Sequence, residues 1–156
     1  MKTWSTIFII CLMFISCDDN VEFNDPAFQA NKGDEVWKST SEEASRVSDV
    51  LTVSAVFNGE VIALEAPYEI GVDTLGAGRT SKATFTDVNG IEYSTLFSAV
   101  NDPTVFYSEG IISITELNGV EGYVSGEFWF TAYDNDGLEK ININQGVFFR
   151  VPFKTE

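Results

Sequence analysis

The run Tyr123-Val124-Ser125-Gly126-Glu127-Phe128-Trp129-Phe130-Thr131-Ala132-Tyr133, followed after Asp134 to Gly137 by Ile141 to Phe153, decides the fold. Side chains on a strand alternate between two faces. In the first run one face carries Val124, Gly126, Phe128, Phe130 and Ala132. In the second, Ile141, Ile143, Gln145, Val147, Phe149, Val151 and Phe153 share a face. A hairpin closing through Asp134 to Gly137 sets Phe130 opposite Ile141, Phe128 opposite Ile143 and Val124 opposite Val147. A slip of one residue would set Phe128 and Phe130 against amide side chains, so the pattern specifies a register. Ile112 and Ile114, from the strand before, extend the apolar wall.

Working outward, turn signals recur at Asn58-Gly59, Asn89-Gly90, Asn118-Gly119 and Asp136-Gly137. Asn-Gly and Asp-Gly suit hairpins because both residues tolerate positive φ. Their flanks, Leu51 to Phe57, Val61 to Leu64, Lys82 to Val88 and Ile91 to Phe97, are rich in β-branched and aromatic residues. Ala55-Val56-Phe57 and Ile62-Ala63-Leu64 read as core. Glu42 to Asp49 reads as a weak short helix, and Gly71 to Arg79 as a glycine-containing loop. The expected fold is all-β: an antiparallel β-sandwich or open barrel of about 8–10 short strands.

The N-terminus has a different character. Lys2 gives a positive start, Ile7 to Ile15 is nearly unbroken apolar chain, and Ser16 precedes Cys17. That order is a signal peptide. Its apolar run falls well short of the roughly 20 residues that span a bilayer as a helix. The expected division is a signal helix over residues 1–16, an acidic tether over 17–25 and a β domain over 26–156. The order Phe14-Ile15-Ser16-Cys17 resembles the lipobox of bacterial lipoproteins, which implies cleavage before Cys17 and acylation of that residue, palmitate included. Asp18, Asp19 and Glu22 resemble the surface-export signal of Bacteroidota lipoproteins, which implies an outer-membrane protein facing outward, with periplasmic retention as the alternative.

The body of the chain carries a second resemblance. Gly110-Ile111-Ile112-Ser113-Ile114-Thr115, Val124 to Ala132 and Asn144-Gln145-Gly146-Val147-Phe148 are similar to a family of Bacteroidota lipoproteins of unknown function, as are Pro26 to Ala30 and Val36-Trp37-Lys38. The resemblance implies an all-β lipoprotein domain and names no ligand.

Charge and composition exclude several functions. Asp and Glu number 24 against 9 Lys and Arg, a formal net charge of −15. Such a field repels nucleic acid and anionic headgroups. The chain has no histidine, which removes Ser-His-Asp and Cys-His catalysis and imidazole metal sites. Its two cysteines, Cys11 and Cys17, fall in the signal and at the lipidation position, so the β domain holds neither disulfide nor thiolate site. Asp134 to Glu139 has several carboxylates but lacks EF-hand spacing and reads as a turn. Gly76-Ala77-Gly78-Arg79 lacks the helix a phosphate loop needs. No cofactor and no metal is expected.

The ligand candidate is the outward face of the first run. Tyr123, Glu127, Trp129 and Tyr133, with Ser125 and Thr131 among them, meet Asn142, Asn144, Phe148 and Arg150 of the partner strand. Aromatic rings among amides, a carboxylate and a guanidinium suit sugars or peptides, because rings stack on C–H faces while polar groups take hydroxyls. The competing reading buries this face under the N-terminal segment, with Trp129 under Trp37 or a loop. The expected function is a lipid-anchored, non-catalytic binding or accessory module for a glycan or an envelope protein. The rivals are a hydrolase using paired carboxylates and an assembly partner offering a free sheet edge. Trp129 and Tyr133 exposed in a shallow groove, a deep pocket with two facing carboxylates, and a long unprotected edge strand would distinguish the three.

Overall fold

The computed structural model describes residues 27–97 and 108–154. The expected signal helix, the tether, Cys17, Asp18, Asp19 and Glu22 lie outside these residues. The described chain is all-β, with eleven antiparallel strands: β1 (Phe28–Lys32), β2 (Glu35–Lys38), β3 (Ser41–Val47), β4 (Val50–Phe57), β5 (Glu60–Pro67), β6 (Gly71–Gly76), β7 (Lys82–Thr86), β8 (Glu92–Ser94), β9 (Glu109–Asn118), β10 (Tyr123–Asp134) and β11 (Lys140–Pro152).

They form one sheet in the order β2-β1-β11-β10-β8-β7-β5-β4-β3. The long β10 is a fork. Tyr123 to Thr131 pair with β9, which carries β6 on its far side, whereas Tyr133 and Asp134 pair with β8. The sheet curls until β3, at one end, meets the segment that follows β11: Phe153 bridges Ala44 of β3, and the Lys154 amide donates to the Ala44 carbonyl at 2.8 Å. Of the two expected architectures this is the open barrel.

Tight turns set the local registers. Asn58 and Gly59 have φ of 49° and 85°, the left-handed pair of a two-residue hairpin, and fix β4 against β5 from Val50–Pro67 to Phe57–Glu60. At the β10–β11 turn, Asp134 Oδ1 accepts the amides of Leu138 and Glu139 at 2.8 and 3.1 Å. The carboxylate thereby serves the turn.

The concave side is the core. Leu51, Val53 and Ala55 from β4, Ile62 and Leu64 from β5, and Ile112 and Ile114 from β9 are buried. Val56 of the expected core is exposed, because it sits on the alternate face of β4. An aromatic cluster fills one flank. Phe28 lies 5.0 Å from Phe128, 5.8 Å from Trp37 and 6.2 Å from Phe148 between ring centroids. Trp37 also meets Phe57 at 5.8 Å and donates its Nε1–H to Glu60 at 2.9 Å.

Two segments differ from their sequence reading. Residues 42–49 belong to β3 and its following turn, not to a helix. Only Ala44 of β3 is buried, so this end strand shows almost no two-residue period. Gly71 to Gly76 forms β6 rather than a loop, held along β9 from Gly71–Ile114 to Gly76–Glu109. These segments help bring the strand number to eleven.

Candidate functional site

The site rests on a correction to the β10–β11 register. The hairpin pairs Ala132 with Ile141 and Phe130 with Ile143, two residues farther along β11 than the alternation suggests. Two bulges then follow. Phe128 pairs with Gly146, and Val124 with Val151. The extra residues are Gln145 and Arg150, whose φ values are 49° and 50°. Each bulge sets two residues of β11 opposite one of β10 and exchanges the faces beyond it. Phe148, expected outside, is therefore fully buried, while Gln145 and Val147, expected inside, are exposed.

Between the bulges lie two three-residue pieces, Gly126-Glu127-Phe128 and Gly146-Val147-Phe148, paired antiparallel. Gly126 faces Phe148 and Phe128 faces Gly146 on the concave side. Each ring lies over the opposite glycine. A Cβ on Gly146 would meet three Phe128 ring carbons at 2.5–2.6 Å, and one on Gly126 would meet the Phe148 ring at 2.4 Å and the Ser113 carbonyl at 2.3 Å. Glycine is required at both positions by this close approach. The middle residues, Glu127 and Val147, are consequently directed to the convex face.

That face carries a groove of about 500 Å³ around Trp129, Ile111, Glu127, Asn144, Gln145 and Val147. The bulge places both Asn144 and Gln145 opposite Trp129, which is partly exposed. The N-terminal hairpin does not cover it. Instead β1 pairs alongside β11 and widens the sheet, with Trp37 turned into the core. A second hollow of about 200 Å³, lined by Gln29, Ala30, Asn31, Val36 and Gln145, adjoins the first through Gln145. Hydrogen bonds orient the amides. Asn31 Nδ2 donates to Gln145 Oε1 at 2.8 Å, Asn144 Nδ2 to Asn142 Oδ1 at 2.9 Å, and Asn142 Nδ2 to Thr131 Oγ1 at 3.1 Å.

The six candidate residues separate. Glu127 and Trp129 share the groove. Asn142 stands beside it, linked through Asn144. Tyr133 is buried at 5% exposure where β8 takes over pairing, and it offers no stacking face. Tyr123 is also buried. Its hydroxyl donates to Glu116 at 2.6 Å, and this bond to a carboxylate raises the phenol above its ordinary pKa of 10.0. Arg150 lies over the Tyr123 ring at 4.9 Å, and its amide donates to Ser125 Oγ at 3.0 Å. Tyr123 and Arg150 thus form their own contact near the start of β10. The sequence reading missed Ile111, Gln145 and Val147 as groove residues, along with Gln29, Asn31 and Val36. Gly146 within an apolar strand was the available signal, since an interior strand glycine often marks a bulge.

A different hollow, about 440 Å³, opens among Lys32, Glu60, Phe85, Asp87, Tyr93 and Lys140. Its charged groups are engaged with one another and with the backbone. Lys32 pairs with Glu60, and Tyr93 donates to Glu139 at 3.0 Å. Asp87 Oδ1 accepts the amides of Ile91 and Asn89, both at 2.8 Å. The Ile91 bond leads the causes that hold Asp87 below 3.8, the opposite direction from that of a general acid. Among the described residues, no group of three or more His, Cys, Asp or Glu side chains is placed to hold a metal ion. Nor does any helix among them have the length and apolarity to cross a membrane.

No curated protein and no solved structure matches the chain. A family model, described as a domain of unknown function, DUF6252, matches residues 24–152, a span that takes in both glycine–phenylalanine pieces and the convex groove. The chain belongs to that family.

Proposed function

We propose that the protein is a lipid-anchored envelope module that binds glycan without chemical turnover, held by acyl chains on Cys17 at the outer membrane of a bacterium of the Bacteroidota. One observation carries the binding reading: Trp129 presents part of its ring in an open groove whose polar wall is made of oriented amides and one carboxylate. Indole faces stack on the C–H faces of pyranose rings, and amides and carboxylates match hydroxyls. The anchoring reading draws on Phe14-Ile15-Ser16-Cys17 and on the acidic residues Asp18, Asp19 and Glu22. One acyl chain holds a protein only marginally, whereas two or more hold it stably. Outward placement would let the groove meet polymers outside the cell.

The test is retention on immobilised polysaccharides, comparing the protein with Trp129→Ala. Loss of retention with the melting transition preserved supports the reading. Retention equal to the unaltered protein contradicts it.

A further inference from the structure

Resting on the glycan reading, we infer that the groove takes an uncharged, linear glycan of about three sugar rings lying across the strands, and that it rejects acidic polysaccharides. Two rows of side chains cross the convex face, the first from β2 to β9 and the second from β2 to β6. In one, Val36 neighbours Asn31, Asn31 neighbours Asn144, and the Asn144–Gln145 pair faces Trp129, which neighbours Ile111. In the other, Lys38, Gln29, Val147, Glu127, Ser113 and Val72 follow in order. The two hollows lie along these rows and meet at Gln145, so the binding surface is longer across the strands than one sugar ring. From Trp129 on β10 to Val36 on β2 are three inter-strand steps, about 14 Å at the usual spacing and room for about three linked rings.

The chemistry of the walls restricts the ligand. Of the charged side chains, only the Glu127 carboxylate lines either hollow. The protein's net charge of −15 adds a repulsive field. A uronate or sulfate ester would meet like charge at Glu127 with no guanidinium or ammonium lining either hollow to balance it: Lys38 stands beyond Gln29 at the β2 end of the second row, and Arg150 lies over the Tyr123 ring. Hydroxyls fit better. With Gln145 Oε1 accepting from Asn31 and Asn144 Nδ2 donating to Asn142, Gln145 Nε2 and Asn144 Oδ1 remain as a donor and an acceptor opposite the indole. Glu127 supplies a further acceptor. A donor and acceptors beside an aromatic face match adjacent sugar hydroxyls above a flat ring.

The experiment is calorimetric titration of the purified protein with β-linked gluco-, manno- and N-acetylgluco-oligosaccharides of one to five units, and with oligogalacturonates of the same lengths. The expected result is binding in a neutral series, with affinity rising at least tenfold from one unit to three and levelling thereafter. Raising the salt should leave that affinity within twofold. Trp129→Ala should remove binding at every length, and Gln29→Ala should weaken only ligands of three units or more. Oligogalacturonate binding that depends on Trp129 would overturn the uncharged-ligand inference while leaving the glycan reading standing. Neutral binding that does not grow with length would overturn the extended site. An absence of Trp129-dependent binding in every series would overturn both this inference and the glycan reading beneath it.

Discussion

Replacing Gly146 with Ala should destabilise the domain by about 1–2 kcal/mol, and the Phe128 ring should be the reason. The added methyl would stand 2.5–2.6 Å from three carbons of that ring. Comfortable carbon–carbon contact lies at about 3.5–4.0 Å, so the shortfall is about 1 Å. The ring has little room to retreat, with Phe28 at 5.0 Å and Phe130 and Phe148 each at 6.3 Å between centroids. Overpacking of this kind costs about 1–3 kcal/mol. The lower chain entropy of unfolded Ala offsets about 0.4–1 kcal/mol. Urea unfolding of the single variants and of Gly146→Ala combined with Phe128→Leu gives a double-mutant cycle. Leucine removes the ring edge, so the Ala substitution should be better tolerated in that background, with a coupling of about 1 kcal/mol or more. A Gly146→Ala protein as stable as its parent, or strictly additive variants, would refute the packing of the Phe128 ring over Gly146.

Trp129→Ala should change stability by less than about 1.5 kcal/mol, since its ring is only partly covered, whereas Trp37→Ala should cost about 3–5 kcal/mol because that ring is fully buried. Thermal melts of the two variants check the contrast, and equal losses would place Trp129 in the core. Asp87 should stabilise the β7–β8 turn in a pH-dependent way. Its folded pKa is lowered, so the contribution is present above 3.8 and disappears as pH falls through that value towards the folded one. The melting difference between the protein and Asp87→Ala should therefore narrow below pH 3.8, and a gap unchanged by acid would contradict this. Cys17→Ala should shift the protein from the detergent-rich to the aqueous phase on Triton X-114 partitioning. An unchanged distribution would contradict lipid anchoring through that residue.

The all-β class was legible because Asn58-Gly59 and the β-branched runs around it encode hairpins locally. The concave face of β10 was legible too, since Val124, Gly126, Phe128, Phe130 and Ala132 alternate without interruption and are all buried. The β11 face was not. Its inward residues Ile143, Gly146, Phe148 and Val151 are spaced three, two and three apart, because Gln145 and Arg150 each add a residue. A strict two-residue period cannot describe such a strand. Trp129 and Glu127 could be found from alternation within β10 alone. Asn31, Gln29 and Val36 could not, because their approach depends on β1 pairing with the far edge of β11, a contact between residues more than a hundred positions apart. The burial of Tyr133 was equally hidden. It follows from the β10 fork, where β9 gives way to β8.

The central claim is that a glycan covers the Trp129 ring, and acrylamide quenching of tryptophan fluorescence tests it most directly. In the protein beginning at Cys17 the two remaining indoles differ: Trp37 is 1% exposed, whereas Trp129 is partly open. Without ligand, quenching should resolve an accessible component that vanishes in Trp129→Phe. A saturating neutral oligosaccharide should shield that component and leave the Trp37 emission unchanged. An accessible component quenched equally with and without the oligosaccharide would contradict the account.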